Sequence, residues 1–246
     1  MSEKFDYRSL RVLPYALLAT FVVIPIVALA VVSMTASSLS ADLRDSLLND
    51  LIGALLSNGL FINYIALIVT LICLYRLNDS VKWFNLAWAY LVIELLAKLV
   101  SQISTWFYDM RPHSLLAGVF ASILYPLPDI AFIFAVAYIL KGVCSMYETM
   151  GKKDIENIRS LSNFFIIIQI ARVTFMTILY IVVFAYRYMG YTRVKELPSA
   201  FLAIFIVSII AAGALLVYHA VIGFMVYSSI NNACQEYYLH KYNAER

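Results

Sequence analysis

Uncharged apolar runs of twenty or more residues recur along this chain, and they limit what it is able to fold into. One such run covers residues 12–41 and another covers residues 51–75. About 20 apolar residues in a helix cross a bilayer, and in lipid the backbone polar groups must be satisfied within each segment. A transmembrane β-strand would instead alternate apolar and polar residues. The pattern therefore predicts an all-α, polytopic integral membrane protein.

Composition agrees with this class. Of the 246 residues, 63% are hydrophobic and 13% are charged, whereas soluble domains carry about 25% charged residues. No segment between the apolar runs is long enough for a soluble domain, so we predict a single membrane domain over residues 1–246. The net charge of +3 is too small to indicate nucleic-acid binding.

The apolar runs predict six transmembrane helices in one bundle, at about residues 13–36, 54–75, 83–107, 114–140, 164–187 and 198–229. Pro25 lies near the middle of the first predicted helix and is expected to kink it, because proline removes a backbone donor. The longest predicted connection covers residues 141–163, where Gly151 is expected to end a helical extension and Asp154 to cap a short second piece.

Six spans place both chain ends on one side of the membrane, and the distribution of basic residues indicates which side. With the termini inside, eleven Lys and Arg residues fall in inner segments: Lys4, Arg8, Arg11, Arg76, Lys82, Lys141, Lys152, Lys153, Arg159, Lys241 and Arg246. Five fall in outer segments: Arg44, Arg111, Arg187, Arg193 and Lys195. We therefore predict a plasma-membrane protein with both termini in the cytoplasm, which also places the three cysteines toward the reducing side.

The third predicted helix carries charge in the middle of its apolar run. Glu94 and Lys98 are four residues apart and share one helix face, with the carboxylate in the favourable N-terminal position. Continuing that face in steps of three and four residues adds Ser101, Gln102 and Thr105. Charged side chains at this depth are costly unless they meet partners, so we expect this polar face to turn toward the bundle interior.

The fourth predicted helix is interrupted by two prolines. Pro126 and Pro128 deprive it of the hydrogen bonds to the carbonyls of Ser122 and Leu124, which predicts a break at mid-depth. Asp129 then lies in the first turn of the second half, where exposed N–H groups and the helix dipole favour an anion.

The depth of each polar residue follows from its offset from the helix centre at about 1.5 Å per residue. Glu94 and Asp129 lie within about 3 Å of the mid-plane, and Lys98 and Arg172 lie about 5 Å to the outer and inner sides. Asp129 and Arg172 are therefore the natural interhelical pair. Gln169 and His219 both lie about 9 Å toward the inside.

Two interpretations of these residues stay open. In the first, Glu94, Lys98, Asp129 and Arg172 form a mid-membrane site of a small-solute or ion transporter, with Gln102, Gln169 and His219 as secondary members. In the second, the charges only fix helix packing in a non-catalytic membrane subunit or assembly protein, whose partner is another membrane protein or a second copy.

Other chemistry has little support. The sequence contains no His-Glu-x-x-His metal site, no Gly-x-Ser-x-Gly elbow and no glycine-rich phosphate loop. We therefore predict that the chain is not an enzyme, and we expect neither a metal ion nor a cofactor. The lipid bilayer itself is the one partner that the composition indicates directly.

Overall fold

In a computed structural model of the chain, residues 7–23, 61–77, 81–110, 114–151, 155–189 and 199–244 are described, and all regular structure within these ranges is helical. The helices are α1 (Tyr7–Leu18), which continues into a π-helical turn (Ala19–Val23), α2 (Phe61–Leu77), α3 (Lys82–Met110), α4 (Leu115–Leu124), α5 (Leu127–Thr149), α6 (Ile155–Tyr188) and α7 (Ser199–Ala244).

Three segments are long and apolar enough to cross a membrane by length and composition: Lys82–Ser104 in α3, Leu115–Thr149 across α4 and α5, and Ile155–Val182 in α6. A shorter apolar helix covers Tyr64–Leu77. This supports the predicted class, an all-helical chain compatible with a membrane. The number of six spans stays a prediction.

The helices pack as a closed ring. α1 lies between α2 and α7, α2 packs on α3, α3 packs on α4 and α5, α5 packs on α6, and α6 packs on α7. α5 also contacts α7 across the ring. In the most apolar window of the α4–α5 segment 61% of the residues are buried, against 17% in α3 and 28% in α6, so α5 is the central helix of the bundle.

The predicted interruption at the two prolines is present. α4 ends at Leu124 and α5 begins at Leu127, and Pro126 and Pro128 flank that first residue of α5. Backbone bonds continue on either side of the gap, from Tyr125 N to the carbonyl of Ala121 at 2.9 Å and from Ile130 N to the carbonyl of Pro126 at 3.0 Å. The break is therefore local, because backbone hydrogen bonds resume on both sides of it.

Three predicted boundaries differ from the structure. The region predicted as a connection over 141–163 is mostly helical, because α5 runs to Thr149 and α6 begins at Ile155. Gly151 ends the helical extension as predicted, with a positive φ of 68° that glycine adopts without strain. α7 runs to Ala244, well beyond the predicted end of the sixth helix at about residue 229. Hydropathy marks where an apolar span ends, whereas a helix continues into water as long as its backbone bonds persist.

Part of the first prediction lies outside the described residues. Residues 24–36 of the first predicted helix, including the predicted kink at Pro25, are outside the described residues. So are residues 54–60 of the second predicted helix and the predicted cap Asp154.

Candidate functional site

Asp129, Arg172, Gln169 and His219 form one chain of hydrogen bonds across three helices. Arg172 Nη2 donates to Asp129 Oδ1 at 2.7 Å, and Arg172 Nε donates to Gln169 Oε1 at 2.8 Å. Gln169 Nε2 lies 2.8 Å from His219 Nδ1. These contacts join α5, α6 and α7. The interhelical pair of Asp129 with Arg172, predicted from depth, is confirmed.

Local sequence explains why these side chains meet. Asp129 is in the first turn of α5, where the proline break leaves N–H groups without helical partners. Gln169 and Arg172 are three residues apart on α6 and therefore point to the same side of that helix. The side chains of Asp129 and Arg172 are 11% and 12% exposed, so this ion pair is nearly dry.

The His219 end of this hydrogen-bonded chain is buried. Gln169 is 0% exposed and His219 is 7% exposed. His219 Nδ1 lies 2.8 Å from Gln169 Nε2 and 3.2 Å from Gln169 Oε1, so which of the two residues donates depends on the tautomer of His219. His219 is therefore a buried partner of the Gln169 amide.

Glu94 and Lys98 form the predicted intrahelical pair on α3, with 2.6 Å between Lys98 Nζ and Glu94 Oε1. The Glu94 side chain is 2% exposed, and its other oxygen, Oε2, has no hydrogen-bond partner among the described residues. A buried acceptor without a partner costs about 1–3 kcal/mol, and more when it is charged.

Aromatic rings cover the hydrogen-bonded chain at one end. Tyr125, in the helix break just before Asp129, stacks on Tyr180 of α6, with ring centroids 4.5 Å apart and an interplanar angle of 12°. Tyr180 follows Arg172 by two turns on α6, so the stack lies beyond the Asp129–Arg172 pair. We call these two residues the tyrosine pair.

A second set of rings covers the opposite end. Phe21, from the π-helical turn, is fully buried, and its ring centroid lies 5.2 Å from that of Phe132, 5.9 Å from that of Phe165 and 4.9 Å from that of His219. We call Phe21, Phe132 and Phe165 the phenylalanine cluster. π-Helical turns are frequent at functional sites. The polar chain is thus enclosed between two aromatic layers.

Gln102 is not part of this arrangement. Its Oε1 accepts a hydrogen bond from the Tyr64 hydroxyl at 2.8 Å, which links α2 to α3 at an exposed position. Of the predicted secondary residues, Gln169 and His219 therefore join the Asp129–Arg172 pair, whereas Gln102 does not.

Two features of the site had little sequence signal. Phe21 is one apolar residue among many in its run, and nothing in the sequence marks it as the ring that covers His219. The free oxygen of Glu94 depends on how α3 packs, which spacing along one helix does not reveal. Among the described residues, no group of three or more His, Cys, Asp or Glu side chains is placed to hold a metal ion.

No family model, curated protein or solved structure matches the chain.

Proposed function

We propose that the chain crosses the plasma membrane six times with both termini in the cytoplasm, and that it carries a small solute or an ion through the charged centre around Glu94 and Asp129. The excess of basic residues in the inner segments supports the orientation. The closed ring of helices supports a single membrane unit.

The buried oxygen Oε2 of Glu94 carries the proposal. Buried polar groups that only fix helix packing are expected to have all their hydrogen-bond partners, since each buried acceptor without a hydrogen bond destabilises the fold. The Glu94–Lys98 pair does not connect two helices, because both residues belong to α3. It therefore contributes little to holding the bundle together and leaves one carboxyl oxygen available for a ligand.

The surroundings of the charged centre fit an occluded carrier. Asp129 lies at an interrupted helix, and interrupted helices at mid-depth are common in transporter sites. The tyrosine pair and the phenylalanine cluster close the two ends of the polar chain. Opening one layer at a time would expose the charged centre to one side of the membrane and then to the other.

A second candidate function is a membrane subunit or assembly partner whose buried polar groups only fix packing. The chain from Asp129 to His219 favours it, because its contacts are satisfied within the protein and join three helices. This candidate function requires no flux. It predicts that removing the charges lowers the amount of folded protein and has no other effect.

Flux measurements on the purified full chain in proteoliposomes test the proposal, with imposed gradients of H⁺, Na⁺ and K⁺ followed by ion-sensitive dyes. We expect flux of at least one ion in the wild type. We expect Glu94→Gln and Asp129→Asn to reduce it by roughly tenfold or more, a change of about 1.4 kcal/mol. Both substitutions keep side-chain volume, but each leaves a buried cation, Lys98 or Arg172, without its counter-charge, so flux is expressed per amount of folded protein.

Glu156→Gln is the matched control, because Glu156 is an exposed carboxylate in the first turn of α6 and lies outside the charged centre. Its flux is expected to equal that of the wild type. Absence of flux for all three ions, together with loss of folded protein in Glu94→Gln and Asp129→Asn, would support the subunit and overturn the carrier.

A further inference from the structure

We infer that the carried ion is the proton and that Glu94 binds and releases it through Oε2. This rests on the proposed carrier function and names its substrate class. The observation behind it is a carboxylate that is 2% exposed and paired through one oxygen only.

The number of available oxygens favours a proton over a metal ion. Hard cations such as Ca²⁺ take six to eight oxygen ligands, and Mg²⁺ takes about six. Here Lys98 already occupies one oxygen of Glu94, and Arg172 occupies one oxygen of Asp129. A proton needs a single oxygen, and Glu94 Oε2 supplies it.

The two states of Glu94 differ in the net charge of the four buried groups. With Glu94, Asp129, Lys98 and Arg172 all ionised, their charges sum to zero. The ionised carboxylate is stabilised by Lys98 at 2.6 Å. A proton on Oε2 changes the net charge of the four groups to +1 and gives the oxygen a hydrogen to donate.

The chemical step is a simple transfer. A hydronium ion on the side that is open gives its proton to Oε2, so an O–H bond forms and a water molecule leaves. When the site opens to the other side of the membrane, a water molecule takes the proton from Oε2 and becomes hydronium. Glu94 is then again the ionised partner of Lys98.

Among the residues that the structure describes, two charged groups act on Glu94. Lys98 lies on the same helix, and Asp129 lies on α5. α2 presents Tyr64, on which the charge of Lys98 acts, and the sequence of α4 contains no titratable residue. Any pH dependence at this position is therefore set first by the burial of Glu94, then by Lys98, and least by Asp129.

Infrared difference spectroscopy on the full chain in proteoliposomes tests the inference, because a protonated carboxyl has its own carbonyl-stretch band. In the wild type we expect this band to appear as the pH is lowered, and we expect it to be lost in Glu94→Gln. Proton flux, followed by a pH-sensitive dye inside the vesicles, is expected to fall roughly tenfold in the same variant.

Lys98→Met is a second variant that retains the carboxyl group. Because the ammonium that stabilises the ionised form is gone, we expect the Glu94 band to persist to higher pH than in the wild type. Glu156→Gln is expected to change neither the band nor the flux.

The outcomes separate this inference from the carrier function on which it rests. Flux of Na⁺ or K⁺ that depends on Glu94, without a carboxyl band, would overturn the proton inference and leave the carrier function standing. A carboxyl band that persists in Glu94→Gln would overturn the assignment to Glu94. Absence of flux for every ion would overturn both.

Discussion

At Arg172 one guanidinium satisfies two buried side chains at once. Its Nη2 holds Asp129 and its Nε holds Gln169, which in turn holds His219. Depth along the helices was enough to predict the Asp129–Arg172 pair, because opposite charges at similar depth in lipid have few other partners. The same depth estimate could not predict that one oxygen of Glu94 has no hydrogen-bond partner, since that depends on the side-chain rotamers between α3 and α5.

Removing Arg172 should cost more stability than removing both members of its pair. In Arg172→Met the Asp129 carboxylate stays buried without a counter-charge, so we expect a loss of about 3–5 kcal/mol in the free energy of unfolding. In Asp129→Leu with Arg172→Met no buried charge is left, and we expect most of that loss to be recovered. Unfolding in mixed micelles with increasing SDS measures both.

His219→Phe is the comparison for that prediction. It removes a neutral hydrogen bond between helices, which is worth about 0.6 kcal/mol on average and up to about 1.7 kcal/mol. If Arg172→Met lowered the free energy of unfolding by no more than His219→Phe, the Asp129 carboxylate would not depend on Arg172 for its burial.

Cys234 should react slowly with thiol reagents in the folded protein. It lies beyond the last predicted span, its Sγ donates to the carbonyl of Leu10 at 3.2 Å, and burial raises the pKa of its thiol to about 12. Relative to an ordinary thiol this leaves roughly a thousandfold less thiolate near neutral pH. Labelling should therefore accelerate as the pH rises toward that pKa.

The measurement uses Cys73→Ala with Cys144→Ala, so that Cys234 is the one cysteine left of three. Maleimide labelling is followed at neutral pH in the native state and after denaturation. Equal rates in the two states would show that α7 does not bury this thiol against α1.

At the level of elements, the close approach of α1 and α7 depends on a glycine. A Cβ added at Gly223 would overlap the Cβ of Phe21, which is next to the backbone and unable to move aside easily. Because Phe21 also covers His219, the fit between these two helices sets one end of the polar chain.

We expect Gly223→Ala to lower the free energy of unfolding by about 1–3 kcal/mol, the usual cost of overpacking. Gly151→Asn is the control: Gly151 has open space around it and a φ of 68°, which asparagine adopts more readily than most residues. Thermal denaturation in detergent compares the two variants, and an unchanged melting temperature for Gly223→Ala would contradict the packing of Phe21 on α7.

The sequence predicted the helix break but not the helix lengths. Proline has no backbone N–H to donate to a helical carbonyl. Pro126 and Pro128 therefore predict the helix break without knowledge of how the helices pack. The ends of α5, α6 and α7 lie in polar segments, where hydropathy falls although the helix continues. Apart from the contact of α5 with α6 through Asp129 and Arg172, the partners of each helix depend on side-chain fit and were not predicted.

For the whole molecule, the orientation is the most direct prediction to check. We expect a green fluorescent protein fused after Arg246 to fluoresce, because the C-terminus is predicted to be in the cytoplasm. Alkaline phosphatase should be active when fused after Pro112 and inactive when fused after Lys153, since the enzyme needs an oxidising compartment.

The basic segment with Arg193 and Lys195 is the critical control, because it is predicted to be outside despite its charge. Alkaline phosphatase activity for a fusion after Lys195 is expected. Inactivity there, combined with activity after Pro112, would place an odd number of crossings between the two points and remove the six-span topology.

The distance along the chain between Asp129 and Arg172 has a consequence for biosynthesis. The two residues are 43 positions apart, so the acid leaves the ribosome and enters the translocon well before its counter-charge exists. α7 then follows with His219 and closes the ring last. A nascent chain halted before α6 would lack the counter-charge of Asp129, so this buried acid is satisfied only after α6 has been made.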